Sequence, residues 1–150
     1  MRILKANEDD FNEVMRLYRQ LQPDDPVLAD GRDREVFHRI LETDGLYIFV
    51  LACGGRIYST CYLNVIPNIT CSARPYAIIE NVVTDEPARG CGFGKRLMKH
   101  TLEFAWSKGC YKAMIQAGSR RESTHAFYRL CGFSANDKVG YVARPGEKKD

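Results

Sequence analysis

The chain has 150 residues, 45% apolar and 27% charged, with a formal net charge of +3, which is ordinary for one soluble globular domain large enough to bury a core. No apolar run approaches the roughly 20 residues that span a bilayer, and the opening MRILKANEDDF turns acidic without an apolar h-region. Neither a membrane span nor a secretory signal is expected, and the cytoplasm is the default location.

In chain order, Arg2–Ala6 reads as a short strand. From Asp9 or Asp10 as N-cap, the residues Phe11, Val14, Met15, Tyr18 and Leu21 recur at helical spacing, and Gln22-Pro23-Asp24-Asp25-Pro26 ends that helix. A shorter helix runs from Asp33 through Val36, Phe37, Ile40 and Leu41. The β-prone run Leu46–Ala52, the turn Gly54-Gly55 and the run Arg56–Ile66 form a hairpin. Tyr76–Val83 reads as a central strand, and Phe93, Leu97, Thr101, Phe104 and Ala105 trace a helix ended by Gly109. Tyr111–Ala117 is a strand, Ser123–Leu130 a helix closed by Gly132, and Tyr141–Ala143 a last strand. The order β-α-α-β-β-β-α-β-α-β predicts an α/β domain (α+β by some schemes) over residues 1–150.

The six cysteines, at 53, 61, 71, 91, 110 and 131, include no C-x-x-C pair, and His38, His100 and His125 fall in separate segments. No metal is expected, and most of the cysteines read as reduced, core-type thiols. Charge is unevenly spread. Residues 1–50 carry 7 Lys/Arg against 11 Asp/Glu, and residues 51–150 carry 15 against 8. Either both faces are simply solvated, or the C-terminal part meets an anionic ligand.

The stretch Arg89-Gly90-Cys91-Gly92-Phe93-Gly94-Lys95 places three glycines at alternate positions between a strand and a helix. Such a turn can close its backbone N–H groups on a phosphate, aided by the helix N-terminus, because glycine has no Cβ to hold the anion away. A Walker A loop is excluded: the position where its first glycine belongs is Arg89, and Lys95 is followed by Arg96 rather than Ser or Thr. The dinucleotide pattern G-x-G-x-x-G fails as well, since the glycines run G-x-G-x-G.

The pattern R/Q-x-x-G-x-G/A, present as Arg89, Gly92 and Gly94, resembles motif A of the GNAT superfamily of acetyl-CoA-dependent N-acetyltransferases. The wider stretch IIENVVTDEPARGCGFGKRLM resembles the family's strand–loop–helix unit, and AFYRLCGF resembles its downstream helix and turn. The resemblance implies one GNAT-like domain with a mixed central sheet of about six to seven strands and about four flanking helices. It implies acetyl-CoA as co-substrate, no metal, and direct transfer to an amine. The backbone of Arg89, Gly90, Cys91, Gly92, Phe93, Gly94 and Lys95 would hold the CoA pyrophosphate, and Val82 and Val83 would pair with the pantetheine arm like an added strand.

Attack on a thioester needs a neutral amine and a protonated leaving thiol. Glu80 interrupts the apolar run of its strand, where partial burial would tune it as a base, a role the family often gives a glutamate on this strand. Tyr128 matches the tyrosine the family places near the CoA sulfur as general acid. Many relatives carry an asparagine seven residues before it, where this chain has Arg121; Ser119, Arg120 and Arg121 could reach phosphates instead. The connection LQPDDPVLADG, with Asp24, Asp25 and Asp30, would give the acceptor pocket an acidic rim suited to a cationic small-molecule or peptide amine. The alternative is a non-catalytic acyl-CoA-binding regulatory module. Neither membrane nor nucleic acid is expected as a partner, since the aromatics follow core periodicity rather than forming a stacking platform. A homodimer is frequent in the family.

Overall fold

The computed structural model describes residues 1–118 and 120–146, and the chain divides into two compact units, 1–115 and 116–150. The first unit holds a five-stranded sheet in the order β1 (Arg2–Lys5), β2 (Leu46–Cys53), β3 (Arg56–Ile66), β4 (Tyr76–Thr84), β5 (Ala113–Ile115). Neighbours from β1 to β4 are antiparallel and β4 pairs β5 in parallel, so the sheet is mixed. The helices are α1 (Phe11–Leu21), α2 (Arg32–Glu42), a single turn α3 (Thr70–Ala73), α4 (Phe93–Ser107) and, in the second unit, α5 (Glu122–Leu130).

Alternation along the strands sorts the core into two layers. On one face Ile48, Val50, Ile57 and Val83 pack with Phe11, Val14 and Leu17 of α1 and Phe37 of α2. On the other, the Phe49 ring meets His100 and Phe104 of α4 at 5.1 and 5.0 Å, and Cys61 Sγ lies 3.2 Å from the Thr101 hydroxyl. Each fully buried Leu or Ile contributes about 1.5–3 kcal/mol relative to an exposed one.

Several expectations are corrected. The sheet has five strands among the described residues, not six to seven. Tyr141–Ala143 forms no strand: Tyr141 and Val142 are exposed, and β-propensity without a partner does not make a ladder. The strand expected over 111–117 shrinks to Ala113–Ile115, which pairs with Ala77–Ile79. Asp10 stands at the N-cap position of α1, as expected, but its side chain makes no cap bond to that helix; it accepts instead from the Asn7 amide at 2.9 Å, while the Asn7 side chain accepts from the Asp9 amide, also at 2.9 Å. That capping box opens a short 3-10 turn, Glu8–Asp10, which runs into α1. Only Cys61 and Cys110 are buried; Cys53, Cys71 and Cys91 are exposed, because they fall at a hairpin end, in α3 and in the glycine loop. Gly109 and Gly132 do close their helices, with φ of 83° and 94°.

Candidate active site

The site starts with a fault in β4. Leu63 pairs Ile79 and Tyr62 pairs Glu80, but the next pair is Thr60 with Val83. Two steps on β3 oppose three on β4, so β4 carries one extra residue, a β-bulge. Its mark is Asn81, whose φ of 51° is left-handed, a conformation asparagine tolerates better than most residues. The Asn81 side chain hydrogen-bonds the phenol of Tyr18 on α1. Burial pushes the Tyr18 hydroxyl well above the ordinary tyrosine range, and the Asn81 bond only partly offsets that. Beyond the bulge the alternation restarts, which puts Val83 in the α1 and α2 layer. Pairing with β5 stops at Ile79, so the edge of β4 from Glu80 to Thr84 faces no strand on that side among the described residues. Val82 and Val83 lie on this stretch, Val82 half-buried and Val83 buried.

Glu80 is exposed, not partly buried as its apolar neighbours suggested. It shares a cross-strand position with Tyr62, and no arginine or lysine pairs with it among the described residues. What the fold gives Glu80 is a place, immediately before the bulge and beside the open edge.

The glycine loop follows the end of β4. Gly90 and Gly92 have φ of 80° and 78°, and a Cβ built on either would meet no atom within 4 Å, so both face open space. Gly94 is buried in the first turn of α4. The first intrahelical donor is the Arg96 amide, on Gly92 O at 3.0 Å, so the amides of Phe93, Gly94 and Lys95 are the helix's orphan donors. The N-cap residue, Gly92, supplies no side-chain cap. α1, α2 and α5 each place an acid in the first turn; α4 places none and carries Lys95 and Arg96 there. Two cations at the positive end of a 15-residue helix are electrostatically unfavourable unless an anion joins them.

Asp85 joins strand to loop and was not singled out from the sequence. It is 2% exposed, and its carboxylate accepts from Arg16 Nη1 and Gln20 Nε2, each at 2.8 Å, and from Arg56 Nη2 at 2.7 Å. Burial alone would raise its pKa, but the bonds from Gln20, Arg56 and Arg16 outweigh it and hold the carboxyl well below the usual range. Glu13 in turn holds Arg16 and accepts from the Ile57 amide at 3.0 Å, while Arg16 donates to Ile57 O at 2.8 Å. The hint in the sequence was Arg16 and Gln20, polar residues at i, i+4 and so on one side of α1. Arg89 turns back onto its own strand, donating to Thr84 O at 3.2 Å.

In the second unit, Tyr128 on α5 is half-buried, with its ring 5.1 Å from Phe127 and 6.0 Å from Phe133. Arg120 and Arg121 are exposed, and Ser119 lies outside the described residues. Asp24, Asp25 and Asp30 are exposed, with Asp30 accepting from the Arg32 amide at 3.1 Å where α2 begins. No cluster of metal-ligating side chains occurs among the described residues, and no described helix is long and apolar enough to cross a membrane. A cavity of about 280 Å³ lined by Lys5, Glu42, Thr43, Asp44 and Tyr47 shares no residue with this site.

Comparison with known proteins agrees with this fold. A glucosamine 6-phosphate N-acetyltransferase of Trypanosoma brucei brucei is 37% identical over 84 residues, 56% of this chain and 55% of its own length, so the match spans about half of that relative. A solved structure from Agrobacterium tumefaciens str. C58, assigned as an acetyltransferase, superposes with a TM-score of 0.91 at 40% identity, covering 96% of this chain and 99% of its own. The crystal structure of glucosamine-6-phosphate N-acetyltransferase from Arabidopsis thaliana shares the fold, with a TM-score of 0.82 at 23% identity over 97% of this chain and 98% of its own. The model of the acetyltransferase (GNAT) family matches residues 11–133, and the chain belongs to that family.

Proposed function

We propose that this protein transfers the acetyl group of acetyl-CoA directly to an amine, with no covalent enzyme intermediate. The observation that carries the reading is the start of α4: orphan amides, two glycines facing open space and a cationic first turn, all suited to a diphosphate. The backbone amides from Gly90 to Lys95 hold the CoA pyrophosphate, and Lys95 adds charge. The edge of β4 at Val82 and Val83 offers main-chain groups to the pantetheine arm, as an added strand would. When bound, acetyl-CoA supplies the activated acyl group. Glu80 accepts the proton that the acceptor's ammonium must lose, directly or through water, and its exposure lets a substrate reach it. Tyr128 donates a proton to the departing thiolate.

The acceptor is an amine, and the Trypanosoma relative puts an amino sugar phosphate first among those to test, ahead of polyamines, aminoglycosides, amino acids and peptide amines. Calorimetric titration with acetyl-CoA and CoA, beside ATP and NAD, tests the first half of the reading. The expected result is micromolar binding of the two CoA species alone. Thiol release across the amine panel then separates an enzyme from a binding module. Gly92→Val places a branched side chain where φ is 78° and a ligand is expected, and should weaken CoA binding more than about 100-fold while the fold persists. Unchanged affinity in this variant would refute the anion cradle.

A further inference from the structure

The glycine loop needs a rigid base. Two of its residues, Gly90 and Gly92, are left-handed glycines, and glycine loses more backbone entropy on ordering than any other residue. Two sets of contacts hold its ends. At the entrance, Gln20 of α1 uses both ends of its amide. Nε2 donates to Asp85 at 2.8 Å, and Oε1 accepts from the Glu86 amide at 2.9 Å. Asp85 precedes the short 3-10 turn Glu86–Ala88, a position from which aspartate ordinarily caps the helix with its own side chain. Here its side chain makes no cap bond and is committed to Arg16, Gln20 and Arg56, and Gln20 takes the Glu86 amide instead.

At the exit, Phe93, the first residue of α4, packs edge-on against Tyr58 with ring centroids 5.7 Å apart. The Arg56 guanidinium that binds Asp85 also lies 5.9 Å from the Tyr58 ring centroid, and the Asp85 amide donates to Tyr58 O at 2.8 Å. Entrance and exit are thus tied through the same residues of β3.

We propose that Gln20 and Asp85 are positioning residues for the cofactor loop, setting the backbone amides of Gly90–Lys95 before the ligand arrives. The inference rests on the functional reading above. Preorganisation of this kind acts on affinity, because ordering that is already complete need not occur on binding. Neither residue is required to touch the reacting groups.

The test compares wild type, Gln20→Met and Met15→Ala by calorimetry with CoA, by thermal melting and by amide hydrogen exchange. Met15 sits on the same helix and packs on the core outside this network. Gln20→Met should weaken CoA binding on the order of tenfold, the scale of losing one well-placed cap. Exchange at residues 86–95 should accelerate in the ligand-free variant. Met15→Ala should melt earlier yet bind CoA as wild type does. Equal losses of affinity in both variants would mean that α1 merely supports the fold, and unchanged affinity and exchange in Gln20→Met would also overturn the proposal. A wild-type protein that fails to bind CoA sinks the functional reading itself, whatever the exchange data show for the loop.

Discussion

The two halves of β4 are built from similar residues and do different work. Tyr76–Ile79 is paired throughout by β3 and, over Ala77–Ile79, by β5 as well, and it buries Ala77 and Ile79 completely. Among the described residues, Glu80–Thr84 is paired on one side only, and it carries a left-handed asparagine and exposes its carboxylate. The first half is held by burial and a complete ladder. The second half gives up pairing on one edge and so leaves backbone groups and a carboxylate accessible at the point where the loop and α4 begin. A single inserted residue separates scaffold from site.

The sharpest way to break this comparison is one substitution in each half. Glu80→Gln should lower turnover by about 10²–10⁴-fold, the usual contribution of a general base, without moving the melting temperature, because the side chain is exposed. Steady-state kinetics beside a melt checks both. Ile79→Ala, one residue earlier, should do the reverse. It should cost about 2–4 kcal/mol in urea denaturation, from a site with no solvent exposure, while leaving the chemistry of the folded fraction intact.

Asp85→Asn probes the junction beyond the second half, and its expected effect is smaller, about 2 kcal/mol at neutral pH. Two of the three partners, Arg16 and Arg56, keep partial access to water once the carboxylate is gone, which limits the loss. The folded carboxyl is held below its unfolded value, so its stabilisation is complete above about pH 4 and declines as pH falls further. Denaturation curves of wild type and variant should therefore differ most at pH 7 and converge toward pH 2.

His38→Gln, far from β4, should have the smallest effect. Glu8 raises the pKa of this exposed histidine, so the pair stabilises the fold below the unfolded histidine value and loses that contribution as pH rises through the folded one. Any difference in melting temperature should appear near pH 5.5 and vanish by pH 9.

Much of the scaffold is legible in local pattern. The continuous β-prone run Leu46–Ala52 forms β2 and buries Ile48, Phe49, Val50 and Leu51, and of the helical set Phe11, Val14, Met15, Tyr18 and Leu21 the first two are buried and the rest half-buried. The same reasoning failed where partners decide. Tyr141 and Val142 read as strand but lie exposed, and the apolar neighbours of Glu80 suggested a partly buried carboxylate that the fold leaves open to solvent. Thr70–Ala73 gave no signal for three successive left-handed residues, because non-glycine residues there depend on surrounding contacts such as Asn68 donating to Thr70 O at 2.9 Å.

For the candidate site the division is similar. By itself the sequence determined that a glycine turn sits between a strand and a helix, because the positive φ of Gly90 and Gly92 and their absent Cβ are open to glycine itself. Only the tertiary structure decided that β4 slips by one residue at Asn81, that β5 abandons it after Ile79, and that Arg16, Gln20 and Arg56 meet on Asp85. Those features join residues up to 69 positions apart, and no local preference encodes a contact between segments that meet only when the sheet forms.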